Sequence, residues 1–234
     1  MTDWRAVAEA LFPEGHEIEQ DGDLLRGEGR CHAQSFAVIG TTNHAQVGIE
    51  LALAMAARVL DTVRRHPDRP ILFLIDTQGQ RLRHRDELLG INSFMAHLGK
   101  CVEIARQNGH RILGLIYDQA LSGGFIPNAM MADLCAALPQ AEIRVMGLPA
   151  MARIMRIPEE KLRELSQTSP VFAPGAVNFL RMGAIDALWS GDIAACLLEA
   201  LGRADQSDRR SASGRARGGR ALAQPVAIRV AVDD

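Results

Sequence analysis

"ILFLID", residues 71–76, is five apolar side chains ended by a carboxylate, with Pro67 and Pro70 ahead of it and the glycine of "TQGQ" (77–80) behind. A run this short and unbroken marks a strand buried on both faces, because a strand with one wet face alternates apolar and polar residues. The flanking segments have a different period. In "VGIELALAMAARVLDTVRRH" (47–66) apolar residues recur at 49, 53, 56, 60 and 63, steps of four and three that mark one helical face, and the prolines close it. Downstream, Leu88, Ile91, Met95, Leu98, Val102 and Ala105 stripe a second helix that stops at Asn108-Gly109. "RILGLIY" (111–117) is then a second buried strand. Strand, helix, strand, helix at this spacing predicts an α/β fold with buried parallel strands.

The pattern extends both ways. "MTDWRAVAEALFPEGHEIEQ" (1–20) reads as a short amphipathic helix ending before Pro13, and "LLRGEGRCHAQSFAVIG" (24–40) as a hairpin around a Gly-rich turn. The glycine pair 123–124 is expected to open a helix through about Met131. Two short strands follow in "LCAALP" and "AEIRVMG", then helical "AMARIM" and "EEKLRELSQ", and a last unit from Pro174 through "AIDALW" to a helix near 192–202. Composition breaks at Gly202, where "GRADQSDRRSASGRARGGR" carries six arginines and no apolar period. Residues 1–202 therefore read as one domain and 203–234 as a flexible basic tail, with "PVAIRVAV" (225–232) as a terminal strand.

Composition excludes several classes of function. A net charge of −2 gives no electrostatic reason to expect nucleic acid or an anionic membrane, and no apolar stretch approaches the roughly 18–20 residues that span a bilayer. No charged-then-apolar leader opens the chain, so the cytoplasm is the expected location. Only two of 26 basic residues are lysines, Lys100 and Lys161, which leaves few candidates for Schiff-base chemistry. Four cysteines and seven histidines lie scattered, without CxxC, HxH or HExxH spacing, so neither a metal site nor a disulfide framework is expected.

Two stretches carry the chemistry. "LIDTQGQ" (74–80) and "YDQALSGGF" (117–125) each read as a buried strand running into glycine at its carboxyl end, where ligands of open α/β sheets collect. Glycine lets a reacting carbonyl approach the main chain, and N–H groups fixed there can stabilise a developing oxyanion. Ordinary βα turns would look the same, and neither loop fits a phosphate-binding pattern. Ser122 as a nucleophile needs a base and an orienting group, yet GxSxG is absent and no histidine has a context that marks it as that base. Asp76 and Asp118 end their strands, where a carboxylate can cap a following turn as readily as it moves protons.

"DTQGQ" (76–80), the helix after it, "ALSGGF" (120–125) and "ALPQAEIRVMG" (137–147) fall in the order and spacing of the carboxyltransferase C-half of biotin-dependent acyl-CoA carboxylases, where the pieces read D-T-P-G-F, a Gly-Gly turn and A-W-P-x-A-E-I-x-V-M-G. The resemblance covers about residues 36–200. It implies a crotonase-type (ClpP/crotonase) superhelix of ββα units. The chain is about half the usual length, with Gln78 and Gln80 for the family's Pro and Phe and "GTTN" (40–43) for its apolar-Ala-Asn turn. In this shortened form it closely resembles the γ subunits of malonate decarboxylases. That family implies a heterodimer with a carboxyltransferase-like β subunit. It also implies an acyl-carrier protein, whose phosphoribosyl-dephospho-CoA arm brings the malonyl thioester, and an acyl-carrier protein transferase as a further partner. The products are acetyl thioester and CO2, and this chain itself is expected to bind no cofactor. Gly79 and Gln80 match one catalytic loop and Gly123 and Gly124 the other, with Ser122, Phe125 and Asn43 expected to line the substrate pocket. Two polar replacements in the first loop favour biotin-independent chemistry. On this reading "SGG" donates backbone N–H groups. The rivals are a scaffold subunit that docks the carrier, and a self-sufficient acyl-CoA hydratase or isomerase, which would need a glutamate beside a glycine turn.

Overall fold

Ile71, Phe73 and Ile75 point to one side of their strand and Leu72 and Leu74 to the other, and all five are fully buried. The computed structural model describes residues 1–168, 175–204, 212, 216 and 222–232. In it this segment is the centre of a sheet of β1 (His16–Asp21), β2 (Leu24–Cys31), β3 (Gln34–Thr41), β4 (Ala45–Val47), β5 (Ile71–Gln80), β6 (Ile112–Leu121), β7 (Leu134–Ala137), β8 (Glu142–Arg144) and β9 (Ala187–Leu188). Strands β1, β2 and β3 form an antiparallel meander, and β3, β5, β6, β7 and β9 follow in parallel order.

Helices cover both faces. On one side α2 (Ile49–Arg65) and α4 (Ile91–Gln107) pack Met55, Val59, Leu98 and Val102 on Phe73 and Ile75. On the other, α1 (Trp4–Leu11) and α8 (Ile193–Arg203) lay Val7, Leu11, Leu197 and Leu201 on Leu72 and Leu74. Each such side chain, fully buried, contributes about 1.5–3 kcal/mol. Asp3 and Asp192 start α1 and α8 by accepting backbone N–H groups of Arg5 and Ala195.

The sheet has two levels, which positions the site. β3 pairs only Ile71–Leu74 of β5, and β7 only Leu113–Ile116 of β6. The carboxyl halves of β5 and β6 take new partners, β4 against 77–80 and β8 against 119–121, after a register shift between Ile75 and Thr77. Asn43 and His44, both with left-handed φ (60° and 49°), step the chain from β3 up to β4. Thus "DTQGQ" and "DQAL" are not loops but strand continuations, because a second set of neighbours satisfies their backbone groups.

Other expectations shift for identifiable reasons. No α-helix follows Gly124. Two single 3₁₀ turns, Ser122–Gly124 and Ala129–Met131, stand there, since Pro127 disfavours helix at Ile126 and the Asn128 side chain starts a new turn by accepting the Ala129 N–H. The second helix splits into α3 (His84–Leu88) and α4 at Gly90, whose φ is +77°, and Leu88 is left exposed. α2 buries 49, 52, 55, 56 and 59 rather than the face through Leu53, which is 41% exposed, because its alanines allow closer packing. β1 escaped notice because one residue in six is buried and the rest are charged or polar, as suits an edge strand. Beyond β8 come α5 (Leu148–Met155), α6 (Glu159–Thr168) and α7 (Ala176–Arg181). "PVAIRVAV" is helical, within α9 (Ala223–Val232), where Pro225 sits in the tolerant first turn and, among the described residues, no strand pairs with it. The Arg-rich stretch before it lies almost wholly outside the described residues.

Candidate functional site

On the upper level the ends of β5 and β6 interlock through glycine. Thr77 Oγ1 donates to the Ala45 carbonyl (2.7 Å) and accepts the Gly79 N–H (2.9 Å). A Cβ on Gly124 would stand 2.6 Å from Thr77 Oγ1 and 2.8 Å from Gly79 Cα, and one on Gly79, whose φ is +103°, 2.9 Å from the Leu121 carbonyl oxygen. Such gaps exclude any side chain unless the backbone moves. On Gly123 a Cβ would meet only Gln80 Oε1, at 2.8 Å. Gly79, Gln80, Ser122, Gly123 and Gly124 therefore form one joined turn. As the first residues of a 3₁₀ turn, Ser122 and Gly123 have N–H groups without an acceptor inside that turn, whereas the Gly124 N–H is the one that closes it.

Phe125 and Asn43, also expected at the pocket, have the following places in the fold. Phe125 is 3% exposed and committed to the core on the α2–α4 side. Asn43 is exposed and donates to the Gly22 carbonyl (3.4 Å) and Asp23 (3.2 Å), tying down the β1–β2 turn. Among the described residues no histidine hydrogen-bonds to the Ser122 hydroxyl, so a base for nucleophilic attack is not assembled.

Asp76 precedes Thr77, so its side chain leaves β5 on the opposite face. There it meets His44 and Asp118, with one ligand-type atom from each all within 4.8 Å of one another. His44 Nε2 lies 2.9 Å from Asp118 Oδ2 and 3.7 Å from Asp76 Oδ1. The His44 backbone N–H donates to Asp76 Oδ2 (2.7 Å), and the Thr2 hydroxyl to Asp118 Oδ1 (3.0 Å). Neither aspartate caps a turn, since both strands run on past them. Burial pushes the Asp76 carboxyl up, against the pull of the His44 backbone N–H, the His44 ring and the Gln119 N–H. For Asp118 burial also pushes upward, but the His44 ring, Thr2 and the amino terminus outweigh it and hold the carboxyl below its usual value. Burial likewise raises the Tyr117 hydroxyl, which donates to the Thr41 carbonyl (3.0 Å). His44 and Asp118 open onto a cleft of about 530 Å³ that Gln119, Gln140 and Glu142 also line. Spacing in sequence hid this group, because its members stand at 44, 76 and 118; aspartates at equivalent points of two adjacent buried strands were the available signal.

The sequence profile of the malonate decarboxylase gamma subunit family matches residues 42–233, most of the chain. The chain belongs to the malonate decarboxylase gamma subunit family. A curated relative, the malonyl-S-ACP:biotin-protein carboxyltransferase of Malonomonas rubra, is 28% identical over 179 residues, covering 73% of this chain and 60% of the relative. The chain thus spans about three fifths of that protein's length. Among solved structures, a Pseudomonas malonate decarboxylase hetero-tetramer in complex with coenzyme A contains a chain with a TM-score of 0.77 at 24% identity, with 97% of each chain covered. A Pseudomonas MdcD–MdcE hetero-dimer gives 0.73 at 24% identity over 91% of this chain and 95% of that one. The fold of this malonate decarboxylase gamma subunit family member is the crotonase-type α/β fold. Among the described residues, no helix is long and apolar enough to cross a membrane.

Proposed function

We propose that this chain supplies one wall of a decarboxylase site whose other wall belongs to a carboxyltransferase-like β subunit, and that the pair converts a malonyl thioester on an acyl-carrier protein into acetyl thioester and CO2. The observation that carries the reading is the joined glycine turn together with its surroundings. Leu82 and Leu89 follow the end of β5, Ile126 the end of β6, and Val145 and Ile154 the end of β8, and each is at least half exposed. Large apolar side chains left exposed in the segments that follow the upper-level strands suit a surface covered by a second subunit.

Loss of CO2 from a malonyl thioester leaves an enolate, whose α-carbon takes one proton from solvent to give the acetyl thioester, so catalysis needs fixed donors where charge develops and an acyl group held for C–C cleavage. The backbone at 122–123 offers such donors with no nucleophile. In this arrangement the partner cradles the thioester oxygen, and the glycines hold the carboxylate end or the departing CO2. The side chain over Gly123 is the amide of Gln80, not a carboxylate, which disfavours a self-sufficient hydratase. The acyl group arrives on the phosphoribosyl-dephospho-CoA arm of the carrier, loaded by a transferase subunit, and CO2 leaves without a biotin acceptor.

The test is turnover of malonyl-carrier protein by this chain with and without the β subunit. Activity is expected only for the pair, with acetyl thioester and free CO2 formed in equal amounts. Comparable turnover by the chain alone overturns the two-wall reading, and strict dependence on a biotin protein overturns free release of CO2.

A further inference from the structure

The His44, Asp76 and Asp118 group lies on the opposite face of β5 from the glycine turn, and nothing in the decarboxylation scheme uses it. Its three side chains come from three points of the fold: the β3–β4 step, the middle of β5 and the matching position of β6. The arrangement is built rather than incidental. Each carboxylate has one oxygen held by a donor other than the imidazole, Asp76 Oδ2 by the His44 backbone N–H and Asp118 Oδ1 by the Thr2 hydroxyl, and turns its other oxygen toward the imidazole. Such outer hydrogen bonds are what orient carboxylates that bind metal.

Asp76 Oδ1 is the independent sign. The residue is fully buried, and among the described residues no donor meets hydrogen-bond geometry at this oxygen, although the Gln119 N–H pulls on the carboxylate. At 3.7 Å from His44 Nε2 it is too far for a hydrogen bond. A buried acceptor left unpaired costs about 1–3 kcal/mol, more when charged, and a second carboxylate within 4.8 Å adds repulsion. One imidazolium does not satisfy both inward oxygens at these distances. A dication does: with metal–ligand bonds of about 2.0–2.2 Å, cis ligands stand roughly 3–3.5 Å apart. The His44–Asp118 and His44–Asp76 separations, 2.9 Å (also a hydrogen bond) and 3.7 Å, bracket that range, and the two carboxylate oxygens lie within 4.8 Å of each other.

We propose that His44 Nε2, Asp76 Oδ1 and Asp118 Oδ2 form a binding site for one divalent transition-metal ion of the Zn2+, Co2+ or Mn2+ class at the floor of the Gln119–Glu142 cleft. An imidazole among the ligands disfavours Mg2+ and Ca2+, which prefer all-oxygen shells. With three protein ligands, the remaining coordination positions face the cleft through the His44 and Asp118 side. The site is independent of the decarboxylase reading, since it shares no residue with the glycine turn.

The experiment uses the untagged chain, stripped with chelator, and follows Co2+ by calorimetry and visible absorption, with Zn2+ as competitor. One equivalent of Co2+ is expected, with ligand-field bands abolished by stoichiometric Zn2+. Asp118→Asn, isosteric and on the cleft side, should weaken binding at least tenfold, and His44→Ala should abolish the bands. Failure of the wild-type chain to take up Co2+ or Zn2+ saturably overturns the site and leaves a protonated His44 bridging two aspartates. Undiminished affinity in a folded Asp118→Asn chain, checked by circular dichroism, overturns it equally.

Discussion

Gly124 shows how little room the joined turn leaves. A methyl group there would press on the backbone of Gly79, which has no rotamer with which to retreat. Gly124→Ala is therefore expected to lower stability by about 1–3 kcal/mol, as overpacking does. It should also cut turnover of the assembled complex on the order of a hundredfold, by displacing the donors. Urea melts and kcat of complexes isolated by size-exclusion chromatography check both, and an assembled complex with normal kcat would support the scaffold reading. The glycine pair was legible in the sequence, since a buried strand running into Gly-Gly marks a place where main chain comes close to something. Its mode of use was not, because the reason for Gly124 lies at Thr77 and Gly79, on another strand. His44 was less legible still: one dispersed histidine acquires meaning only when β5 and β6 place two aspartates against it.

Among the elements, the helices and central strands were readable because burial on both faces of a sheet leaves unbroken apolar runs and clean helical stripes. Boundaries failed where one residue outweighed the pattern, Gly90 in splitting α3 from α4 and Pro127 in stopping a helix after the glycine turn. The junction of α4 with β6 and β7 rests on a contact no periodicity announces. Arg106, its side chain 5% exposed, lies 2.7 Å from Asp133 and 2.5 Å from Glu103 and also donates to the Met131 carbonyl. Asp133 in turn accepts the Ile112 N–H (2.7 Å). Removing the cation strands Asp133 in a dry site. Arg106→Met should cost about 3 kcal/mol, at the low end for a broken buried pair because Asp133 keeps the Ile112 donor. A shift of the denaturation midpoint with unchanged m-value is the expected signature.

Across the whole molecule, two apolar layers separated by one sheet make up the buried core of the described residues, and three of the four thiols lie within them. Cys31 sits on the α1–α8 side and Cys101 and Cys135 on the α2–α4 side, and burial raises all three thiols. Only Cys196 is partly exposed. A thiol reagent at neutral pH should modify Cys196 alone in the native chain and the other three together on unfolding, with peptide mass mapping as the readout. Stepwise reaction of Cys31 and Cys101 in denaturant would mean that the two layers come apart separately. The two-level sheet also sets an order in time. Ala37 cannot find its partner on β5 until Ile71 has been synthesised, nor Ile71 its second partner until Ile112 follows, and each pairing closes a long loop before it gains a neighbour. The upper level comes later still, because β4 and β8 attach only to the far halves of strands whose near halves must already be aligned. In each newly made chain, the glycine turn is thus among the last features to take shape.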